Sequence, residues 1–191
     1  MKPLLTLKDV RPQLPFNINY GMADLSIEHI LDPNWNVTID WDIYLPTKKM
    51  NLQRPLVWTL QQKQELIYSV FKGLKLPNIS IIQYRDDDKN ITYKIIDGKQ
   101  RLSTLIAFVK NEFPIIWNNQ EYFFDELDHS IKGEFLYHGT IRSDIAYEYP
   151  EQLISDDHKI KWFQMINFAG TPQDKERLMI NNRFNVVYHL L

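Results

Sequence analysis

The residues best suited to chemistry lie in one stretch, Ile95-Ile96-Asp97-Gly98-Lys99-Gln100-Arg101-Leu102-Ser103-Thr104-Leu105. An apolar run that reads as a strand stops at Asp97-Gly98. A helix with Leu102, Leu105, Ile106 and Val109 on one face follows at once. The first N–H groups of a helix have no internal partner and carry a partial positive charge. Gly98 lets a ligand approach the backbone closely. Lys99 and Arg101 add charge, and the guanidinium presents a planar fork to phosphate oxygens. Together these features describe an anion site, with phosphate the best fit. Asp97, at the strand end, is placed to hold a metal ion, a water or a ribose hydroxyl. A plainer reading stands beside this one: Asp97-Gly98 is a tight turn, and Lys99 and Arg101 are solvated. Against it, two basic groups in a first turn oppose the helix dipole unless an anion meets them.

Other chemistry-bearing residues are less well arranged. Ser103 and Thr104 are not part of a Walker A loop, because the Gly-x4-Gly-Lys-Ser/Thr spacing is absent. Asp86-Asp87-Asp88 lacks the spaced ligands of a calcium loop and reads as a hairpin turn. Asp156-Asp157 follow Ser155 and suit a helix start. The five histidines, His29, His129, His138, His158 and His189, form no metal-ligand spacing. Trp58, Trp117 and Trp162 read as core residues. Trp58 is the best candidate for base stacking, since it lies close to Arg54.

The elements that must position the Asp97 turn can be read from periodicity and caps. Residues 1–35 hold Pro3, Pro12, Pro15 and Pro33 and read as an irregular arm. One short helix is expected in it near Leu25–Leu31, capped by Asp24 or Ser26. Val37–Tyr44 alternates and reads as one half-buried strand. Thr59 and Gln62 form a capping box ahead of a helix over roughly 61–72, and Gly73 closes it. Strands are expected at Ile79–Tyr84 and Ile91–Ile96, and a hairpin at Ile115–Trp117 and Tyr122–Phe124 around Asn118-Asn119. Residues 125–154 are ambiguous apart from a strand near Ile145–Tyr149. Ser155 caps a helix ending at Gly170, and Thr171-Pro172 starts another. The mixed order gives an α/β or α+β class.

Composition bounds the function. The chain has 191 residues with a formal charge of -2, so no uniform basic field holds a nucleic acid by charge alone. Hydrophobic residues make up 44%, enough for a packed core. The absence of cysteine excludes a disulfide framework, a Cys-ligated zinc site and a thiol nucleophile. With no signal-like apolar stretch and no apolar run of membrane length, the chain reads as soluble and cytoplasmic.

Asp97-Gly98-Lys99-Gln100-Arg101 resembles the Asp-Gly-Gln-Gln-Arg motif of the N-terminal, GmrS-like domain of GmrSD modification-dependent restriction systems, within the ParB/sulfiredoxin-like superfamily. Three further elements carry the same resemblance. Gln53-Arg54-Pro55 with Trp58 is similar to the Gln-Arg-Pro-x-x-Trp element. Leu66-Ile67-x-Ser69 with Gly73 and Leu76-Pro77 is similar to the first helix and its exit. Asn167-Phe168-Ala169-Gly170-Thr171-Pro172 is similar to the later Asn-x-x-Gly-x-Pro segment. Coverage is roughly residues 36–182, which gives an N-terminal arm over 1–35 and one domain over 36–191.

The resemblance implies an α/β (α+β mixed) domain with a small mixed sheet and surrounding helices. It implies a nucleoside triphosphate bound, and in some members hydrolysed, at the glycine turn with Mg²⁺ or Mn²⁺. By motif match the site comprises Asp97, Gly98, Lys99, Gln100 and Arg101, with Gln53 and Arg54 as its second half and Asn167 as a sugar or base contact. Asp97, Gln100 and Arg101 are then the catalytic candidates, with Asp97 also the metal ligand. Lys99 departs from the motif, where glutamine is usual, which keeps binding but puts turnover in question. No His-metal nuclease region follows before Leu191, so a separate nuclease or other protein partner is expected. The alternative is a non-catalytic DNA- or protein-binding regulator that retains the phosphate pocket, and a DNA nickase of the ParB-nuclease type is a third reading.

Overall fold

A computed structural model describes residues 18–35, 37–138 and 140–168. The described residues begin with β1 (Asn19–Leu25) and α1 (Ile27–Leu31), which Ser26 caps by accepting the His29 N–H. β2 (Val37–Asp40), β3 (Tyr44–Leu45) and β4 (Met50–Asn51) follow, then α2 (Leu60–Phe71). The Thr59–Gln62 capping box at the head of α2 is formed in both directions. β5 (Ile79–Arg85), β6 (Ile91–Asp97) and α3 (Lys99–Val109) come next. The hairpin β7 (Ile115–Trp117) and β8 (Gln120–Tyr122), α4 (His129–His138), β9 (Ile141–Glu148) and α5 (Asp156–Phe168) complete the described chain.

Five strands form one mixed sheet in the order β1-β9-β5-β6-β2. β1 is antiparallel to β9, β9 parallel to β5, β5 antiparallel to β6, and β6 parallel to β2. The architecture is therefore α+β, as the alternating pattern indicates. Residues 19–25, expected to be irregular, are an edge strand of this sheet instead. Their pairing with β9 is a long-range contact that local periodicity does not encode.

Each face of the sheet carries a core. On one face Ile79, Ile81, Tyr93, Ile95 and Ile145 pack with Ile67 of α2, Leu102, Leu105 and Phe108 of α3, and Phe135 of α4. Phe108 sits edge-on to Phe124 and Phe135, with centroids 5.6 and 5.3 Å away, and fixes the roll of α3. On the other face Ile82, Ile96 and Ala146 pack with Ile43, Leu45, Leu52 and Trp162 of α5. Glu148, 0% exposed, ties this face together: it pairs with Lys94 of β6 and Lys159 of α5 and accepts the Ile154 N–H.

The expected single strand over Val37–Tyr44 ends early, at Asp40. Asp40 Oδ1 accepts the N–H groups of Asp42 (3.2 Å) and Ile43 (3.0 Å) and turns the chain. Ile43 is then held at φ 44°, a strained conformation for a β-branched residue, by burial at 2% exposure. The Asn118-Asn119 hairpin forms with both residues at positive φ, but its second strand is Gln120–Tyr122, two residues earlier than the expected Tyr122–Phe124. The ambiguous stretch 125–154 resolves into α4 and β9. The helix expected from Thr171-Pro172, and the end of α5 at Gly170, lie outside the described residues. Among the described residues no helix is long and apolar enough to cross a membrane.

Candidate functional site

Because β2 and β6 run parallel, with Asp40 opposite Lys94, the chain leaves both strands on the same edge of the sheet. Asp42 and the Asp97-Gly98 turn therefore emerge side by side. β5 runs the other way, and its start lies against the same turn, with Ser80 opposite Asp97. Gly98 caps α3 at φ 97°, in the left-handed region. A Cβ there would lie 2.3 Å from Ile79 Cγ2, so only glycine fits. Having no side chain, Gly98 gives the first-turn N–H groups of α3 no cap bond.

Both cations of the turn are met by carboxylates of the chain. Arg101 donates from Nη2 to Asp97 Oδ2 (3.0 Å) and to the Asn78 carbonyl (2.8 Å). Its Nε is buried and has no hydrogen-bond partner. Lys99, 7% exposed, donates from Nζ to Asp42 Oδ1. This resolves the clash between basic residues and the helix dipole noted from sequence. The compensating anions are Asp42 and Asp97, and neither cation is simply solvated. Asp42 is a residue that sequence reasoning missed.

The Gln53–Trp58 segment is fastened to the turn at both ends. Gln53 Nε2 donates to the carbonyls of Ile95 (3.0 Å) and Ile96. Gln100 donates from Nε2 to the Pro55 carbonyl (3.0 Å), and its Oε1 accepts the Val57 (3.1 Å) and Trp58 (3.3 Å) N–H groups. Arg54 lies between these two anchors. Its side chain is exposed and makes no ion pair with any described residue. The structure thus brings Gln53, Arg54, Asp97, Gly98, Lys99, Gln100 and Arg101 together. Asn167 comes from α5, the helix of the opposite face, where its Nδ2 donates to the Phe163 carbonyl (2.8 Å).

Two groups around the turn are left without a partner on the exposed side, the uncapped first N–H groups of α3 and the Arg54 guanidinium, while Arg101 Nε is unpartnered but buried. A divalent ion has fewer candidates. Among the described residues no three His, Asp or Glu side chains gather as a metal cage. Asp97 and Asp42 are the carboxylates at the turn, each already paired with a cation of α3. Mg²⁺ is commonly held by one or two carboxylates together with substrate phosphates.

A cavity lies elsewhere. It encloses about 520 Å³ between α2, the β7–β8 hairpin and α4, and it is lined by Tyr68, Phe71, Trp117, Tyr122, Leu127 and Ile131. Trp117, expected in the core, is 64% exposed beside it, because it sits at the tip of a hairpin packed on one side only. The cavity holds none of the residues selected from sequence. The lining is mostly apolar, with Lys72, Glu126 and Asp128 as its charged residues.

Asp86 behaves as a turn residue. It accepts the N–H and Nδ2 of Asn90, both at 2.8 Å, and these bonds, the side-chain one foremost, hold its carboxyl below the usual aspartate range.

Residues 43–189 match the family described as "GmrSD restriction endonuclease, N-terminal domain". No curated protein and no solved structure matches the chain.

Proposed function

The chain belongs to the GmrSD N-terminal domain family, and from that premise we propose that it is a nucleotide-binding domain of restriction or phage-defence type, hydrolysing a nucleoside triphosphate with Mg²⁺ or Mn²⁺. One observation carries the reading. Arg54, exposed and without an ion-pair partner among the described residues, is pinned by Gln53 and Pro55 beside the uncapped start of α3, where Arg101 keeps a buried, unpartnered Nε–H. A helix start with an exposed, unpaired arginine anchored in the adjoining segment suits a phosphate group.

In this reading the phosphates lie on the N–H groups after Gly98, with Arg54 and Arg101 offsetting their charge. Asp97 would hold the divalent ion, whose contribution when bound is to neutralise charge on the phosphate oxygens. Gln100 acts chiefly as a brace, since its carbonyl oxygen already accepts two backbone N–H groups. Turnover therefore rests on Asp97 and Arg101, and Asn167, on the helix of the opposite face, is assigned no contact. The test is phosphate release from ATP, GTP, CTP and UTP with Mg²⁺ or Mn²⁺, alongside nucleotide binding. Turnover lost in both Asp97→Ala and Arg101→Ala supports the reading. Binding without turnover makes the domain a sensor, and neither binding nor turnover removes the proposal.

A second reading, a regulator that docks on a protein partner, draws on the exposed Trp117 beside the apolar cavity. Trp117→Ser abolishing partner capture while nucleotide binding is unchanged would favour it.

A further inference from the structure

Lys99 is the residue at which this chain departs from the motif it resembles, and it is the buried cation of the turn. A buried glutamine needs only hydrogen bonds. A buried ammonium needs a counter-ion, or it loses its charge. Asp42 supplies that counter-ion through a built arrangement. Asp40 Oδ1 holds the N–H groups of Asp42 and Ile43, the strained Ile43 is locked in the core, and the Asp42 carbonyl accepts the Gln53 N–H at 3.4 Å. The same residue therefore touches both halves of the site, through its backbone to Gln53 and through its carboxylate to Lys99.

The exposures of the two partners differ. The Lys99 side chain is 8% exposed and that of Asp42 54%. Lys99 is shut away from solvent, while the carboxylate that meets it faces outward. An anion approaching Lys99 Nζ meets the Asp42 carboxylate already bound there. The charges agree with this. Asp42, Asp97, Lys99 and Arg101 sum to zero, which leaves Arg54 as the net positive charge facing a polyphosphate.

We propose that Asp42 is an internal competitor for the phosphate. Its carboxylate occupies Lys99 Nζ, and bound polyphosphate takes its place there, so that Asp42 sets the affinity of the site. This inference rests on the nucleotide-binding reading and adds to it a positioning residue outside the family motif. No covalent step is involved, only an exchange of one oxyanion for another on the ammonium.

The experiment titrates inorganic tripolyphosphate into the purified full chain, with and without Mg²⁺, by calorimetry and by unfolding temperature. The variants are Asp42→Asn and the neutral pair Asp42→Asn/Lys99→Gln. Asp42→Asn is expected to bind about tenfold tighter, the size expected when a charge-assisted hydrogen bond changes partner. The double variant is expected to lose that gain. If Asp42 is merely structural, its removal weakens the fold and leaves affinity unchanged, which overturns the proposal. A gain that persists in the double variant overturns it as well. Should Asp42→Asn fail to fold, tripolyphosphate added on refolding is expected to rescue it by re-pairing Lys99, and absence of rescue refutes the idea. ATP, GTP, CTP and UTP titrated into the wild type separate the two levels. Nucleotide bound with Asp42→Asn no tighter refutes the role of Asp42 alone. No binding to either protein refutes the nucleotide reading with it.

Discussion

Replacing Gly98 with alanine tests the geometry of the turn on which the site depends. The new Cβ would lie 2.3 Å from Ile79 Cγ2 and 2.8 Å from Ile79 Cβ, both on a fully buried strand residue that cannot swing away. The backbone at φ 97° adds a left-handed strain of about 1–2 kcal/mol for a residue with a side chain. Overpacking adds about 1–3 kcal/mol. The sum is about 2–5 kcal/mol, or a fall of about 10 °C in unfolding temperature for a chain of this size. Calorimetric or denaturant unfolding of Gly98→Ala reads this directly. The contact is assigned by a double-mutant cycle with Ile79→Ala, which removes the Cγ2 that the new Cβ meets. The double variant should lose less than the sum of the single losses, by about 1 kcal/mol. A Gly98→Ala protein within about 2 °C of wild type, or strictly additive losses, would refute the reasoning.

Gln100→Ala removes bonds to three backbone groups of residues 55–58 and should cost about 1–3 kcal/mol. Hydrogen exchange at Val57 and Trp58 should accelerate, and unchanged protection would contradict the brace. Glu148→Gln leaves Lys94 and Lys159 facing one another without their shared carboxylate, a loss of about 3–5 kcal/mol measurable by denaturant titration. A loss under about 1 kcal/mol would show that the lysines find water instead. Asn90→Ala should raise the Asp86 pKa toward 3.8, as followed by carboxyl NMR, since the Asn90 side chain is the main cause of its depression. The folded value lies below the unfolded one, so the stabilisation is present above pH 3.8 and is lost as pH falls through the folded value. An Asp86 titration that does not move in the variant contradicts the assignment.

The parts of the fold that were legible in sequence are those written locally. The Thr59–Gln62 box, the apolar face of Leu102, Leu105 and Ile106, the Asp97-Gly98 break and the Asn118-Asn119 hairpin each depend on residues a few positions apart. β1 was not legible, because its pairing partner is more than a hundred residues away. Asp42 was missed for a specific reason. Alternation read straight through Val37–Tyr44, which put Asp42 on the solvent side of a continuing strand. The Asp40 carboxylate ends the strand, and the turn that results aims Asp42 at Lys99. The motif also named Gln100 without showing what its amide touches, since its partners lie more than forty residues away in the chain. Trp117 looked like core because hydrophobicity alone does not reveal that a hairpin tip is packed on one side only.

Arg54 gives the most direct test of the central claim, because among the described residues its guanidinium has no ion-pair partner whose loss would disturb the fold. Equilibrium binding of the four nucleoside triphosphates to wild type and Arg54→Ala should show at least a tenfold weakening in the variant, with unfolding temperature unchanged. Equal affinity in the two proteins, at equal stability, would contradict a nucleotide site at the start of α3.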